Sequence, residues 1–219
     1  MTSSKARKTA ENIVEKALRL FASQGFEATT MKQIAEAAGC STGLAYRYFR
    51  RKEDLALALY LRLARELATA ARAVDAGTMG ERFVAVMRLK LALVDPHREA
   101  LAALGGAMLR DGSPLDVLGD ETVAVRAEVQ RAILAAVSRA ENAPRPWTEE
   151  LGAVLYTTHL TLLLVWLLDH DPARPRTEKA LRAAGLAIDA AAPWLAHPAA
   201  RAFGSTLQTI INPQPEEMP

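Results

Sequence analysis

The sequence predicts an all-α protein, and three features of its composition and patterning support that prediction. Apolar residues recur with helical spacing along almost the whole chain. Alanine is abundant and aromatic residues are few, which favours closely packed helices. Valine and isoleucine are sparse and nowhere alternate as they would in a strand. The 219 residues, half of them hydrophobic, suffice for a core without disulfides, so disordered, collagen-like and disulfide-rich classes are excluded.

The N-terminal part of the chain begins with three predicted helices. The first spans roughly residues 5–23 and ends before Gly25, because glycine is favoured just after the end of a helix. Thr30 and Gln33 have the spacing of a capping box, so a short helix should follow Thr30. Ser41 is the next candidate N-cap and predicts a second short helix.

The rest of the chain predicts longer helices separated by proline, glycine and polar residues. Leucines at positions 55, 59, 63 and 67 lie on one face of the first of these helices. A short helical tail is expected after Pro198, and the proline-rich residues 212–219 are expected to form a mobile tail. The longer helices are expected, in chain order, at residues 52–74, 81–94, 97–109, 120–142, 147–169 and 177–195.

One predicted helix is apolar enough to raise the question of a membrane. Residues 151–168 contain no Asp, Glu, Lys or Arg, and a membrane span needs about 20 apolar residues. Thr157, Thr158 and His159 interrupt this run, and acidic residues flank both of its ends. We therefore interpret it as a helix buried on most sides within the protein and expect no membrane partner.

Positive charge is concentrated at the N-terminus. Residues 1–52 hold ten Lys/Arg and four Glu, a net charge of +6, whereas the rest of the chain holds 17 basic and 21 acidic residues, a net charge of −4. A basic head indicates a polyanionic partner, although a chance cluster of solvated charges would look the same. The single cysteine, Cys40, and a polar start without an apolar signal core predict a cytoplasmic protein.

The two short helices joined through Gly39 have the spacing of a helix-turn-helix. Cys40, Leu44 and Phe49 are expected to pack into the small core of this motif. The second helix then has an outward face that includes a glycine. Gly43 on an exposed helix costs about 1 kcal/mol relative to alanine, and close approach to another molecule is one reason to accept that cost.

The motif resembles the DNA-binding domain of the TetR family of repressors. The resemblance is carried by residues 29–55, TTMKQIAEAAGCSTGLAYRYFRRKEDL, and by residues 17–26 of the first helix, ALRLFASQGF. It covers roughly residues 9–60 and is specific, because many residue types match at fixed spacing. Cys40 departs from the branched apolar residue usual at its position. Beyond residue 60 the chain resembles the family only in its helical character and length.

The resemblance implies a role in DNA binding for eight residues. Those at the start of the first short helix would touch phosphate or the groove edge, and those on the second would face the major groove, where an arginine can read guanine. The two tyrosines and the lysine that opens the long helix would contact phosphates. The implied residues are Thr30, Lys32, Thr42, Gly43, Tyr46, Arg47, Tyr48 and Lys52.

The helical body is expected to bind an effector and to dimerise. Because it mixes apolar helices with few charges that look buried, the effector is expected to be apolar or amphipathic. The four histidines are not at chelating spacing and no catalytic or phosphate-loop pattern occurs, so we expect no metal, cofactor or enzyme activity. Candidate pocket residues are Met87, Met108, Tyr156, His159 and Trp166. Candidate dimer-interface residues are Leu160, Leu163, Leu164, Leu167, Ala184, Ala187 and Ile188.

Together these features predict a three-helix helix-turn-helix DNA-binding domain followed by a larger helical ligand-binding and dimerisation domain. The boundaries are placed at residues 1–50, 51–211 and 212–219. The resemblance implies a dimeric repressor that binds a palindromic operator and is released by a ligand. One alternative is an all-helical ligand-binding protein or enzyme with an incidental helix-turn-helix. Another is a regulator that activates transcription or responds to no small molecule.

Overall fold

The computed structural model describes residues 4–144, 149–195 and 197–211, and this part of the chain is helical with no strand. The all-α prediction is therefore confirmed. The helices are α1 (Ser4–Gln24), α2 (Met31–Ala37), α3 (Thr42–Tyr48), α4 (Lys52–Ala70), α5 (Met79–Val94), α6 (Arg98–Met108), α7 (Val123–Val137), α8 (Glu149–Leu168), α9 (Pro175–Ala191) and α10 (Pro198–Ile211). The expected mobile tail at 212–219 lies outside the described residues.

The helices form two compact units. The first contains residues up to Arg62 together with Asp95–Thr122, and the second contains Leu63–Val94 together with the chain from Val123 onward. The long helix α4 thus begins in one unit and ends in the other. Helix α6 belongs by its contacts to the unit that holds α1, α2 and α3, although in sequence it lies between helices of the second unit.

The first unit has a small apolar core built on one face of α1. Its largest buried residue, Phe21, meets Phe26 edge to face at 5.0 Å between ring centroids. Ile34 of α2, Ala45 of α3 and Leu55 of α4 are completely buried. Helix α1 contacts α2 and α6, and α2 contacts α3. The predicted leucine face of α4 is confirmed, because all four of its leucines are buried.

The second unit is organised around α8, which contacts α5, α7, α9 and α10. The stretch Leu151–Leu168 is, among the described residues, the one helix long and apolar enough to cross a membrane by length and composition. Core helices pass the same test, and packing by four other helices fits the prediction of a buried helix. Asp169 accepts hydrogen bonds from the Thr177 amide at 2.8 Å and hydroxyl at 3.0 Å, which ties the end of α8 to the first turn of α9.

Helices α5 and α9 cross in close contact through two glycines. A Cβ atom added at Gly80 would lie 2.1 Å from the Gly185 carbonyl oxygen. The Asp189 carboxylate accepts hydrogen bonds from the Gly80 amide at 2.8 Å, the Thr78 hydroxyl at 2.6 Å and the Asn142 side-chain amide at 2.9 Å. Burial raises the pKa of Asp189, but these hydrogen bonds outweigh burial and leave the pKa below its ordinary value.

Three local expectations differ from the structure. Helix α7 is shorter than predicted, because Asn142 leaves the helical path to accept a hydrogen bond from the Met79 amide at 2.8 Å. The tail after Pro198 is a full helix, α10, that packs on α8. Cys40, Leu44 and Phe49 are only half-buried, since Ala45 is the residue of the short helix α3 that fills the core.

Candidate nucleic-acid interface

Reciprocal hydrogen bonds fix the start of α2. The Gln33 amide donates to the Thr30 hydroxyl at 3.3 Å, and the Thr30 amide donates to the Gln33 side-chain oxygen at 2.8 Å. This is the predicted capping box, and it satisfies two amides that have no partner within the helix. Thr30 and Lys32 are both exposed beside this helix start.

A glycine turn connects α2 to α3. Gly39 has a φ of +67°, a conformation that glycine adopts without the strain of a side chain. The Gly39 amide donates to Glu36 and the Cys40 amide to Ala35, which closes the end of α2. Ser41 then caps α3 by accepting from the Leu44 amide at 3.2 Å. The helix-turn-helix is therefore present as predicted.

Helix α3 exposes one continuous side. Gly43, Tyr46 and Arg47 are exposed, and their spacing places them on one face of the helix. Tyr46 is the most open of the aromatic side chains here, at 51% exposure. Thr42 and Tyr48 are half-buried at the edges of this face. An exposed arginine on the second helix of a helix-turn-helix can reach base edges in the major groove.

Lys52 is already engaged within the protein. Its ammonium donates to the carbonyl oxygens of Phe26 at 2.8 Å and Glu27 at 3.3 Å, and it lies 4.2 Å from the centre of the Phe26 ring. Its side chain is 18% exposed and lies 3.6 Å from the Glu27 carboxylate. The prediction that Lys52 binds a phosphate stays a prediction, and any phosphate would have to compete with these partners.

Ion pairs neutralise part of the positive charge near the motif. Arg110 lies 3.1 Å from Glu27, and its hydrogen bond, together with the charge of Lys52, lowers the pKa of Glu27. Arg51 bonds to Asp54 at 2.9 Å and also pairs with Glu121. These long-range pairs had no local signal in the sequence, because their partners are 70 or more residues apart.

A basic stripe on α1 borders the motif and was not recognised in the sequence. Lys5, Lys8 and Asn12 are spaced three and four residues apart, and they line an open groove of about 740 Å³ with Cys40 and Leu44. The Asn12 side chain donates to the Ala38 carbonyl at 2.9 Å, which ties α1 to the turn. Helical spacing was the signal that could have found this stripe.

The predicted pocket residues divide between the two units. Met87, Tyr156, His159 and Trp166 are all buried in the second unit, where the Tyr156 and His159 rings lie 5.2 Å apart. Met108 is half-buried and belongs to the first unit. Their assignment to a ligand pocket stays a prediction.

The expectation of few buried charges in the body is wrong. Arg82, Lys90 and Arg126 are all buried there. Arg82 donates to three carbonyl oxygens, those of Asp75, Gly77 and Ala136, at 2.6–3.2 Å. Burial of these long side chains depends on the helices packed over them, and their own helix periodicity does not reveal it.

The predicted dimer-interface residues occupy two kinds of position. On α8, Leu164 is 50% exposed, and the other three leucines are half-buried. On α9, the three predicted residues line an apolar hollow of about 230 Å³ against α8, together with Leu151, Val154 and Leu155. Leu168 and Leu186 are exposed apolar residues on the same two helices that the prediction omitted. The interface itself stays a prediction.

The capped helix-turn-helix and its exposed α3 define a DNA-binding domain of the helix-turn-helix class. Residues 13–59 match the model of the family described as "Bacterial regulatory proteins, tetR family". Residues 13–59 therefore form a DNA-binding domain of the TetR type.

Similar proteins agree with this assignment. The HTH-type transcriptional regulator TcmR of Streptomyces glaucescens is 32% identical over 133 residues, which cover 58% of this chain and 50% of that protein. The chain spans half or less of the length of the curated relatives it matches. These relatives are named as transcriptional regulators.

Two solved structures share the fold. A tetR-family transcriptional regulator from Streptomyces coelicolor has a TM-score of 0.61 at 24% identity, with coverage of 97% of this chain and 92% of that one. Thermus thermophilus FadR, a TetR-family repressor solved in complex with lauroyl-CoA, has a TM-score of 0.56 at 20% identity and covers 84% of this chain and 94% of its own. At these identities the likeness shows the fold.

Proposed function

We propose that the protein is a sequence-specific DNA-binding transcriptional repressor that binds a palindromic operator as a homodimer and is released by a small-molecule effector. The observation that carries the proposal is the outer face of α3, where Gly43, Tyr46 and Arg47 are exposed next to a capped helix start. Residues 1–50 would bind DNA and residues 51–211 would bind the effector and dimerise, in the cytoplasm.

Contacts to DNA divide by residue type. Arg47 would read a base edge, and Gly43 would let the backbone of α3 approach the groove closely. Thr30, Lys32, Thr42, Tyr46, Tyr48 and Lys52 would contact the phosphate backbone or the edge of the groove. Lys32, Arg47 and Arg50 make no ion pair with another described residue, which leaves their charges available to phosphates.

Exposed leucines on α8 and α9 support the dimer. Leu164, Leu168 and Leu186 are each at least half exposed, and a second copy of the chain meeting this face about a two-fold axis would bury them. Such a dimer presents two α3 helices, so the operator should contain two half-sites about one helical turn apart. The lauroyl-CoA bound to Thermus thermophilus FadR supports an amphipathic effector for this chain as well.

In vitro selection from a randomised DNA duplex tests the proposal. The full-length protein should enrich a palindrome, and the binding of that palindrome should be measured by fluorescence anisotropy. The double variant Tyr46→Ala/Arg47→Ala should bind that palindrome more weakly and enrich a sequence with a relaxed preference at one base pair per half-site. A matched control, Arg131→Ala, removes an exposed arginine of α7 and should select the same palindrome as the wild type. Failure of the wild type to enrich any sequence would overturn the proposal.

A further inference from the structure

Two basic side chains are buried together in the second unit. Lys90 of α5 is 7% exposed and His159 of α8 is 3% exposed. Helix α5 packs against α8, and the charge of Lys90 acts on the imidazole of His159. Burying a positive charge costs free energy unless an anion or several hydrogen-bond acceptors compensate for the lost water.

That compensation is missing among the described residues. Neither ring nitrogen of His159 meets hydrogen-bond geometry with a described residue, although the Tyr156 carbonyl lies close enough to affect its pKa. The Lys90 ammonium makes no hydrogen bond or ion pair with another described residue, unlike buried Arg82, which donates to three carbonyls. Burial lowers the pKa of Lys90 to about 8. Burial and then the charge of Lys90 lower the pKa of His159 to about 3, against a small opposing effect from the Tyr156 carbonyl.

The surroundings of the pair add hydrogen-bond donors. On α7, the side-chain Nε2 of Gln130 is buried and has no hydrogen-bond partner within the described part of the chain; it lies one turn after Arg126 on the same helix face. The charge of Arg126 acts on Tyr156, whose ring lies 5.2 Å from that of His159. The Lys90 ammonium and the Gln130 Nε2 group only donate hydrogen bonds, and their helices α5 and α7 both pack against α8. Such a set is complementary to an anion.

Buried apolar side chains lie further along the two helices that hold Lys90 and His159. Met87 lies one turn before Lys90 on α5 and Trp166 lies two turns after His159 on α8, and both are buried. A ligand with its anionic group at Lys90 and His159 would therefore lie against hydrocarbon and indole surfaces. This combination fits a molecule with one carboxylate and an apolar body.

We propose that Lys90 and His159 form the anion-binding end of an effector site and that its ligands are amphipathic carboxylic acids. The effector role rests on the proposed repressor function, whereas the binding of carboxylates does not. The carboxylate would accept hydrogen bonds from the Lys90 ammonium and from the neutral His159 ring, and its negative charge would offset the buried charge of Lys90.

The test compares acids with the matching alcohols on the full-length protein. Hexanoate, decanoate, tetradecanoate and 1-naphthoate, and the corresponding alcohols, would be titrated below their aggregation concentrations by isothermal titration calorimetry. The wild type should bind at least one acid at least tenfold more tightly than its alcohol. Equal binding of acid and alcohol throughout, or no binding of any acid, would overturn the proposal.

The variant Lys90→Met keeps the length of the side chain and removes its charge. Because it also removes an uncompensated buried cation, it should stay folded with an unchanged or higher Tm. Its preference for acid over alcohol should fall below threefold, whereas the control Lys179→Met, at an exposed position of α9, should keep the wild-type preference. A Lys90→Met protein with the full preference would overturn the proposal.

DNA release separates this proposal from the proposed function. If an acid binds in a Lys90-dependent manner but leaves the protein on its selected palindrome, the anion site stands and the effector-released repressor is refuted. If the protein binds its palindrome but no acid, the anion site is refuted and the proposed DNA-binding function stands.

Discussion

Replacing Gly43 by alanine should move stability and DNA binding in opposite directions. Gly43 is the second residue of α3, and a Cβ atom added there would meet nothing within 4 Å. Alanine lowers the conformational cost of the helix by about 0.5–1 kcal/mol near a helix end. For a chain of this length, that gain should raise the Tm by roughly 1–4 °C.

The cost of the same methyl group should appear only on DNA. Gly43 shares the exposed face of α3 with Tyr46 and Arg47, so a side chain there would separate the helix from the groove. We expect the Kd for the selected palindrome to rise at least tenfold, which corresponds to about 1.4 kcal/mol. Gly43→Ser should weaken binding at least as much, because its side chain is larger.

Thermal unfolding and fluorescence anisotropy on the same preparations measure both effects. The matched control is Gly106→Ala, since Gly106 also lies in a helix and an added Cβ there also meets nothing within 4 Å. It should raise the Tm similarly and leave the Kd for DNA unchanged. A Gly43→Ala protein that is stabilised and binds the palindrome as tightly as the wild type would refute close approach at this residue.

Four further substitutions test other parts of the molecule. Arg47→Ala should cost about 1–3 kcal/mol on the selected site and relax the preference at one base pair per half-site; an unchanged selected sequence would contradict base reading. Lys52→Ala should weaken specific and non-specific DNA binding equally and lower the slope of log affinity against log salt concentration by about 1 per protomer. An unchanged slope would mean that its partners Phe26 and Glu27 hold Lys52 away from phosphate. Leu164→Glu should shift sedimentation towards monomers and abolish binding to the palindrome, while Leu109→Glu, at another exposed leucine, should leave the dimer intact. Gly80→Ala should lower the free energy of unfolding by about 3 kcal/mol in denaturant titrations, because the added Cβ would collide with a backbone oxygen of α9. A variant as stable as the wild type would show that α5 and α9 can separate freely.

Local signals were enough to predict the helix-turn-helix. The capping box of Thr30 and Gln33, the Gly39 turn and the Ser41 cap each depend on residues within a few positions of one another, so the sequence displays them directly. The outward position of Gly43 follows from the same local periodicity. The sequence therefore largely predicts which side chains of the candidate site are exposed.

Features that depend on distant partners were not predictable. A lysine within a leucine-rich helix is normally assigned to the solvent side, and Lys90 is buried only because other helices cover it. The early end of α7 follows from the bonds of Asn142 to Met79 and Asp189, which are 63 and 47 residues away. Likewise, the packing of α10 on α8 depends on a partner helix that is distant in sequence, so the sequence of α10 alone does not reveal it.

Helix α6 is held to the other helices of the first unit more by apolar packing than by charge. Its segment, Asp95–Thr122, leaves α5, belongs to the unit of α1–α3 and returns to α7. Two ion pairs join this segment to the head, Arg110 with Glu27 and Arg51 with Glu121, but all four side chains are more than 40% exposed. Exposed pairs contribute only about 0–1 kcal/mol each. The packing of α6 on α1, with Ala100, Leu104 and Ala107 buried, is the stronger link, so a displaced α6 would move α1 through apolar contact rather than through charge.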